Sequence, residues 1–162
     1  MDSFDNLINK FLLVTKEIYG NDYIPLHRPV FEGNEKLYLT ECIDSNFVSS
    51  VGQKVTDFEN SISNFVGSKF AVATVNGTAA LHVAIELANV KPGEEVISQA
   101  LTFIATCNAI SYSGAVPIFV DVDIDTMGMS PQSLTLFLEN FAEKKRGNTY
   151  NKKSGRRIGA CI

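Results

Sequence analysis

The sequence predicts an α/β protein with three layers, helices lying on both faces of a largely parallel sheet. Two observations carry that prediction. From residue 70 onward, short apolar runs of buried-strand type alternate with segments of helical periodicity. The turns between them are short, so successive strands must be linked through the helices by right-handed crossovers. No internal repeat interrupts this order.

Taken along the chain, Phe4, Leu7, Ile8, Phe11, Leu12 and Ile18 recur at roughly helical spacing and predict a helix ended by Gly20. Residues 1–23 therefore read as an N-terminal helical segment, and 24–162 as the domain that follows. Pro25 and Pro29 bracket an extended stretch, because the residue before a proline avoids the helical region. A second helix is predicted from Asn34 to about Ser45. A third runs from about Gln53 to Val66, with Val55, Phe58, Ile62 and Phe65 on one apolar face and Gly67 as its stop.

Phe70 to Val75 reads as the first buried strand, broken by Asn76-Gly77. Thr78 to Asn89 follows as a helix with Leu81, Ile85 and Ala88 along one side. After the Lys91-Pro92-Gly93 turn, Glu95 to Ser98 is a second strand, Phe103 to Tyr112 a helix closed by Gly114, and Val116 to Val120 a third strand. Ser130 caps a helix reaching about Phe141, with Pro131 in its first turn where its missing N–H costs nothing. Lys144 to Arg157 reads as a solvated loop. Arg157 to Ile162 is a fourth buried strand, and the sequence stops inside it, which predicts a chain cut short of a larger protein.

Composition narrows the functional classes. The 162 residues are 45% hydrophobic and 20% charged, which suits a single folded domain and excludes wholesale disorder. Cys42, Cys107 and Cys161 are widely spaced with no CxxC pair, and only two histidines are present, so neither a disulfide scaffold nor a metal framework is expected. No apolar run reaches the ~18 residues of a membrane span, and the acidic opening around Asp2 and Asp5 does not suit a secretory signal. The expectation is a soluble cytoplasmic protein. Its net charge of −4 hides an asymmetry: Lys144 to Arg157 holds seven basic residues and no acid, leaving residues 1–143 with a net of −11. That run is broken by Gly147 to Asn151 and by Ser154-Gly155, and it lacks the interleaved aromatics of a single-strand binder, so no nucleic-acid partner is predicted.

The strongest chemical signal is Val75-Asn76-Gly77-Thr78-Ala79-Ala80-Leu81, a strand turning sharply into a helix. Free amides at a helix start and the helix dipole favour an anion there, glycine admits close approach, and Thr78 adds a hydroxyl. Plain capping of the helix by Asn76 or Thr78 explains the same residues. Neither GxGxxG nor GxxxxGK[ST] is present. Phe103 follows the next strand at the same sheet edge, where it either stacks on a planar ligand whose phosphate sits at Gly77 or fills the core.

On these residues the sequence resembles the amino-terminal part of the pyridoxal-phosphate-dependent nucleotide-sugar aminotransferases of the DegT/DnrJ/EryC family. The matching pattern begins at Ile24-Pro25-Leu26 and Gly33-Asn34-Glu35, continues through Phe47-Val48-Ser49-Ser50-Val51-Gly52 and Asn76 to His82, and includes Pro92 to Ile97, Thr102 to Thr106 and Phe119 to Asp123. The segments Val48 to Gly52 and Gln99 to Thr102 are most similar to the legionaminic acid and bacillosamine branch. The resemblance implies part of the type I, aspartate aminotransferase-like large domain, with pyridoxal 5'-phosphate as cofactor. Its phosphate would be held by Gly77, Thr78 and Ala79, and its ring would stack on Phe103. It also implies transfer of an amino group from glutamate to a 4-keto-6-deoxy nucleotide sugar, UDP- or GDP-linked, within a homodimer. Phe47 and Ser50 would lie near the sugar or the subunit interface.

The same resemblance places the family's Schiff-base lysine beyond the last residue, so no catalytic residue is assigned and the chain is expected to be inactive alone. Asp121 and Asp123 are read as turn contacts, and His82 as structural. Two rival readings stand beside this one. The chain is then either a self-contained α/β module binding a phosphorylated metabolite at the Gly77 turn, or an interaction protein using its basic loop.

Overall fold

The structure is a computed structural model that describes residues 3–162. Its elements are α1 (Ser3–Tyr19), α2 (Glu35–Asp44), α3 (Gln53–Val66), α4 (Gly77–Leu87), β1 (Glu95–Gln99), α5 (Ile104–Tyr112), β2 (Val116–Val120), α6 (Pro131–Phe141), β3 (Ala142–Lys145), β4 (Asn148–Asn151) and β5 (Ile158–Cys161). Two compact units divide the chain inside α3, one ending at Phe58 and the other running from Glu59 to Ile162.

In the first unit, Lys54 Nζ pairs with Glu41 at 2.6 Å and lies 4.0 Å from the centre of the Tyr38 ring, joining the start of α3 to α2. Neither α2 nor α3 contains a fully buried residue. The apolar face predicted for α3 forms but is not covered: Phe58, Ile62 and Phe65 are exposed among the described residues.

The second unit is built on β1. The sheet order is β2-β1-β5, with β1 parallel to both neighbours. Val96, Ile97 and Ser98 are at most 2% exposed, so both faces of β1 are covered. That double burial explains why the strand reads as a nearly continuous apolar run rather than an alternating one. On one face Val96 packs with Ile85 in α4 and Val90 just after it, and with Ala109, Ile110 and Ala115 around α5. Leu81, Ala160 and Ile162 lie against that cluster. The step from β1 to β2 runs one way along the sheet, and the step from β2 to β5 returns past β1. Right-handed crossovers therefore put α5 and α6 on opposite faces, the predicted three-layer arrangement.

Two predictions are corrected. Phe70 to Val75 forms no strand among the described residues, and Phe70, Val72 and Val75 are 74%, 82% and 89% exposed. Its apolar composition is that of a strand, but a strand is stabilised by a neighbour's ladder, and here the backbone finds only side-chain partners: Ala73 N–H donates to Glu59 Oε1 at 2.8 Å and Phe70 O accepts from the Ser68 hydroxyl at 2.9 Å. The predicted loop at 144–157, in turn, contains most of an antiparallel hairpin, β3–β4, closed by Arg146 and Gly147, both at positive φ as a tight two-residue turn requires. Its strands are polar on both faces, so they carry no alternation to be read.

The hairpin is fixed by tertiary contacts at the amino edge of the sheet. Asn151 Nδ2 donates to the buried Glu95 carboxylate at 2.9 Å, and Lys152 Nζ donates to Asn140 O at 3.0 Å at the end of α6. Arg157 Nη1 donates to both Glu94 oxygens at 2.8 Å, and its Nε donates to Asn148 Oδ1 at 3.0 Å. Burial alone would raise the Glu94 pKa, but the Arg157 hydrogen bond and charge, with the Lys91 amide, hold it below the ordinary value. Gly159 is the extra residue of a bulge against β1, since Ile158 pairs with Glu95 and Ala160 with Val96. A Cβ at Gly159 would stand 2.8 Å from Glu94 Oε2 and 3.2 Å from a Val90 methyl.

Two outcomes follow from this edge. Gly159→Ala pushes the Glu94 carboxylate off Arg157 and lowers unfolding free energy by about 1–3 kcal/mol in urea titration. Because the Glu94 pKa is depressed in the folded state, its contribution is present above pH 4.5, the ordinary value, and is lost as pH falls through the folded value. Glu94→Gln removes that acid-side slope from a plot of stability against pH.

Candidate functional site

The residues singled out in the second unit converge on the carboxyl edge of the sheet. The turn Lys91–Glu94 enters β1 at its amino end, so α4, which leads into it, starts at the opposite edge. Helix α5 leaves β1 at its carboxyl end, and the two helices pack side by side. Their starts therefore stand together at the edge where open α/β sheets take ligands.

At the first of these starts Asn76 is extended, with φ −165° and ψ 173°, and its Oδ1 accepts from Ala79 N–H at 2.9 Å. Ala80 N–H reaches Asn76 O at 3.1 Å. The amides of Gly77 and Thr78 have no partner among the described residues, and a Cβ on Gly77 would meet nothing within 4 Å. Capping and anion binding are thus compatible: the cap engages Ala79, which the family resemblance places in the phosphate cradle, and leaves the two preceding amides free. Two free amides, one hydroxyl and the positive end of a helix, facing open space, fit a phosphate.

At the second start Phe103 occupies the N-cap position of α5, where it can make no side-chain cap, and it is 79% exposed. An exposed aromatic ring beside a free helix N-terminus offers a face to a planar ligand and does not belong to the core. His82, on α4, meets the Tyr112 ring edge-on at 5.9 Å and Glu86 Oε1 at 3.8 Å, a structural set of contacts. Asp121 Oδ1 accepts from Val122 N–H at 2.8 Å and Asp123 Oδ2 from the Thr126 hydroxyl at 3.0 Å, so both serve the turn before α6.

Phe47 and Ser50 belong to the first unit. Phe47 lines an apolar hollow between α2 and α3 with Leu39, Ile43, Val48 and Val55, while Ser50 is exposed and outside it. Among the described residues no cluster of His, Cys, Asp or Glu could hold a metal, and no helix is long and apolar enough to cross a membrane.

A cavity of about 380 Å³ opens at the carboxyl ends of β1 and β5, lined by Ser98, Gln99, Thr102, Thr106, Met129, Cys161 and Ile162. Sequence reasoning missed it. Its walls come from positions more than sixty residues apart, and only the return of the chain past β1 brings Cys161 beside Ser98. Partial burial pushes the Cys161 thiol above its ordinary value, and its sulfur lies 3.5 Å from Met129 Sδ.

The DegT/DnrJ/EryC1/StrS aminotransferase family matches residues 30–142. GDP-perosamine synthase of Escherichia coli O157:H7 is 42% identical over 118 residues, which are 73% of this chain and 32% of that protein. An aminotransferase structure from Psychrobacter cryohalolentis superposes with a TM-score of 0.63 at 34% identity, covering 71% of this chain and 29% of that one. A GDP-4-keto-6-deoxymannose-3-dehydratase structure with a trapped PLP-glutamate geminal diamine gives 0.61 at 26% identity, covering 70% and 31%. The chain spans about a third of the length of the curated relatives it matches.

The cap at Asn76 is testable without any ligand. Asn76→Ala leaves Ala79 N–H without its acceptor and costs about 1 kcal/mol of stability by denaturant titration.

Proposed function

The chain belongs to the DegT/DnrJ/EryC1/StrS aminotransferase family, and from that premise we propose that it forms the phosphate- and ring-binding part of a pyridoxal-phosphate-dependent sugar aminotransferase. The amino group passes from glutamate to a 4-keto-6-deoxy nucleotide sugar, UDP- or GDP-linked. The observation that carries this reading is the pairing of two free amides at the start of α4 with the exposed Phe103 ring at the start of the adjoining α5.

The cofactor supplies the electron sink for the transfer, and the protein supplies its position. Gly77 and Thr78 amides, with the Thr78 hydroxyl, hold the phosphate against the helix dipole. Asn76 keeps the first turn of α4 rigid by engaging Ala79, which fixes where those amides point. Phe103, exposed at the start of α5, would cover one face of the ring. The nucleotide-sugar acceptor is supported by the name of the perosamine synthase relative, and glutamate as amino donor by the ligand in the dehydratase structure. Phe47 and Ser50 are assigned to the sugar or to a second subunit of a homodimer, in the cytoplasm.

The lysines of the second unit do not gather at this edge. Lys91 stands before β1, Lys69 before the extended run, and Lys144, Lys145, Lys152 and Lys153 in and around the hairpin. On this reading the second unit holds the cofactor without a covalent bond to any of its own lysines, and the chain is proposed to be inactive alone.

Titration with pyridoxal phosphate, followed by tyrosine fluorescence, is expected to saturate, and Phe103→Ala to weaken binding about two- to tenfold through lost stacking. Borohydride treatment leaves no labelled lysine. A trapped adduct on one specific lysine overturns the non-covalent reading. Equal binding of inorganic phosphate and pyridoxal phosphate, unaffected by Phe103→Ala, favours instead a module for a phosphorylated metabolite.

A further inference from the structure

The cavity at the carboxyl ends of β1 and β5 contains a group that the fold leaves unsatisfied. Ser98 is 1% exposed, and its Oγ has no hydrogen-bond partner. A hydroxyl buried without a partner destabilises a protein, and an alanine at this position would fill much the same place without that cost. Ser98 also stands near the end of β1, the strand at which the sheet order reverses, where the crevices of open α/β sheets receive ligands.

We propose that this cavity is a polar subsite of the ligand site, in which the Ser98 hydroxyl hydrogen-bonds an uncharged oxygen on the edge of the ring that lies against Phe103. This rests on the reading of Gly77, Thr78 and Phe103 given above, and it assigns a positioning role to a residue outside that set. The cavity adjoins the Phe103 position, because Thr102 and Thr106 on either side of it in sequence both line the wall. Their hydroxyls bond each other at 3.0 Å, so one of the two keeps its hydrogen available. Gln99 is tied down by its Nε2, which donates to Leu101 O at 2.8 Å. Met129, Ile162 and Cys161 complete the wall, and no Asp, Glu, Lys or Arg is among the lining residues.

That lining selects the ligand chemistry. A phosphate or carboxylate would find no counter-charge here, whereas the start of α4 offers one through its dipole. A hydroxyl or carbonyl oxygen needs only the hydrogen bonds that Ser98 and the threonine pair provide. Ser98 reaches it by turning about χ1, its single side-chain torsion, between staggered wells. The two ends of one ligand are thus sorted by charge: the anionic end to α4, the neutral polar edge to the cavity.

The test compares wild type with Ser98→Ala, using the full chain. Without ligand, Ser98→Ala is expected to melt at the same temperature or higher, since an unsatisfied group has been removed. With pyridoxal phosphate, its dissociation constant is expected to rise about three- to tenfold, the loss of one neutral hydrogen bond. Affinity for inorganic phosphate, which has no ring, is expected to be unchanged. Equal pyridoxal phosphate affinity in both proteins overturns the subsite and leaves the Gly77–Phe103 reading standing. A lower melting temperature of ligand-free Ser98→Ala, with unchanged affinity, makes the hydroxyl structural and also overturns it. Absence of any pyridoxal phosphate binding by wild type sinks both readings together.

Discussion

The second unit depends on the burial of one five-residue strand. With Val96, Ile97 and Ser98 closed off on both faces, β1 can exist only if something covers each side, and every neighbouring element is placed by that demand. Helices α4 and α5 close the Val96 face, while the crossover through α6 serves the other and returns the chain to β5. Full burial of the Val96 side chain alone is worth about 1.5–3 kcal/mol. A polar group on such a strand is therefore costly unless it is matched. Glu95, at the amino end, is matched by Asn151. Ser98, toward the carboxyl end, is not.

The two edges of the sheet consequently have different chemistry. At the amino edge the charged groups are mutually satisfied: Arg157 grips Glu94, Asn151 meets Glu95, and Lys152 supplies donors to the last carbonyls of α6. The basic run that reads in the sequence as a solvated loop puts part of its charge into these contacts, which fold it into a hairpin. At the carboxyl edge the groups are open: two amides, a threonine hydroxyl and an aromatic ring. An edge sealed by one ion pair and several hydrogen bonds and an edge left open fit a scaffold whose ligand enters from one side only.

What the sequence disclosed follows the range of the interactions involved. The caps and stops were legible because they act within one turn of chain. Asn76 bonds Ala79, Ser130 accepts from Ser133 N–H, and Gly67 and Gly114 take the positive φ expected at helix ends. The strands β1, β2 and β5 were legible from composition, although only β1 is buried along its length; β2 buries Val120 alone and β5 is half-buried. The hairpin was not, because its strands are held by partners some fifty residues away and not by their own pattern. Phe70 to Val75 failed in the opposite sense: its composition is that of a strand, yet a strand is a relation between two segments. The cavity beside Ser98 had no local signal at all, since a lone serine in an apolar run differs little from a tolerated substitution.

The same distinction clarifies the choice that the sequence left open at Gly77. Capping and ligand binding competed there only while the four free amides of a helix start were treated as one group. In the structure they are divided. Asn76 takes the amide of Ala79 with its side chain, those of Gly77 and Thr78 remain, and Ala80 N–H begins the ordinary helix ladder on Asn76 O. A cap that consumed the first amides would have closed the site, and a helix with no cap would have let its first turn fray. Holding the Ala79 amide while leaving those of Gly77 and Thr78 free gives a rigid turn that can still bind an anion, and it does so with an asparagine and a glycine in succession.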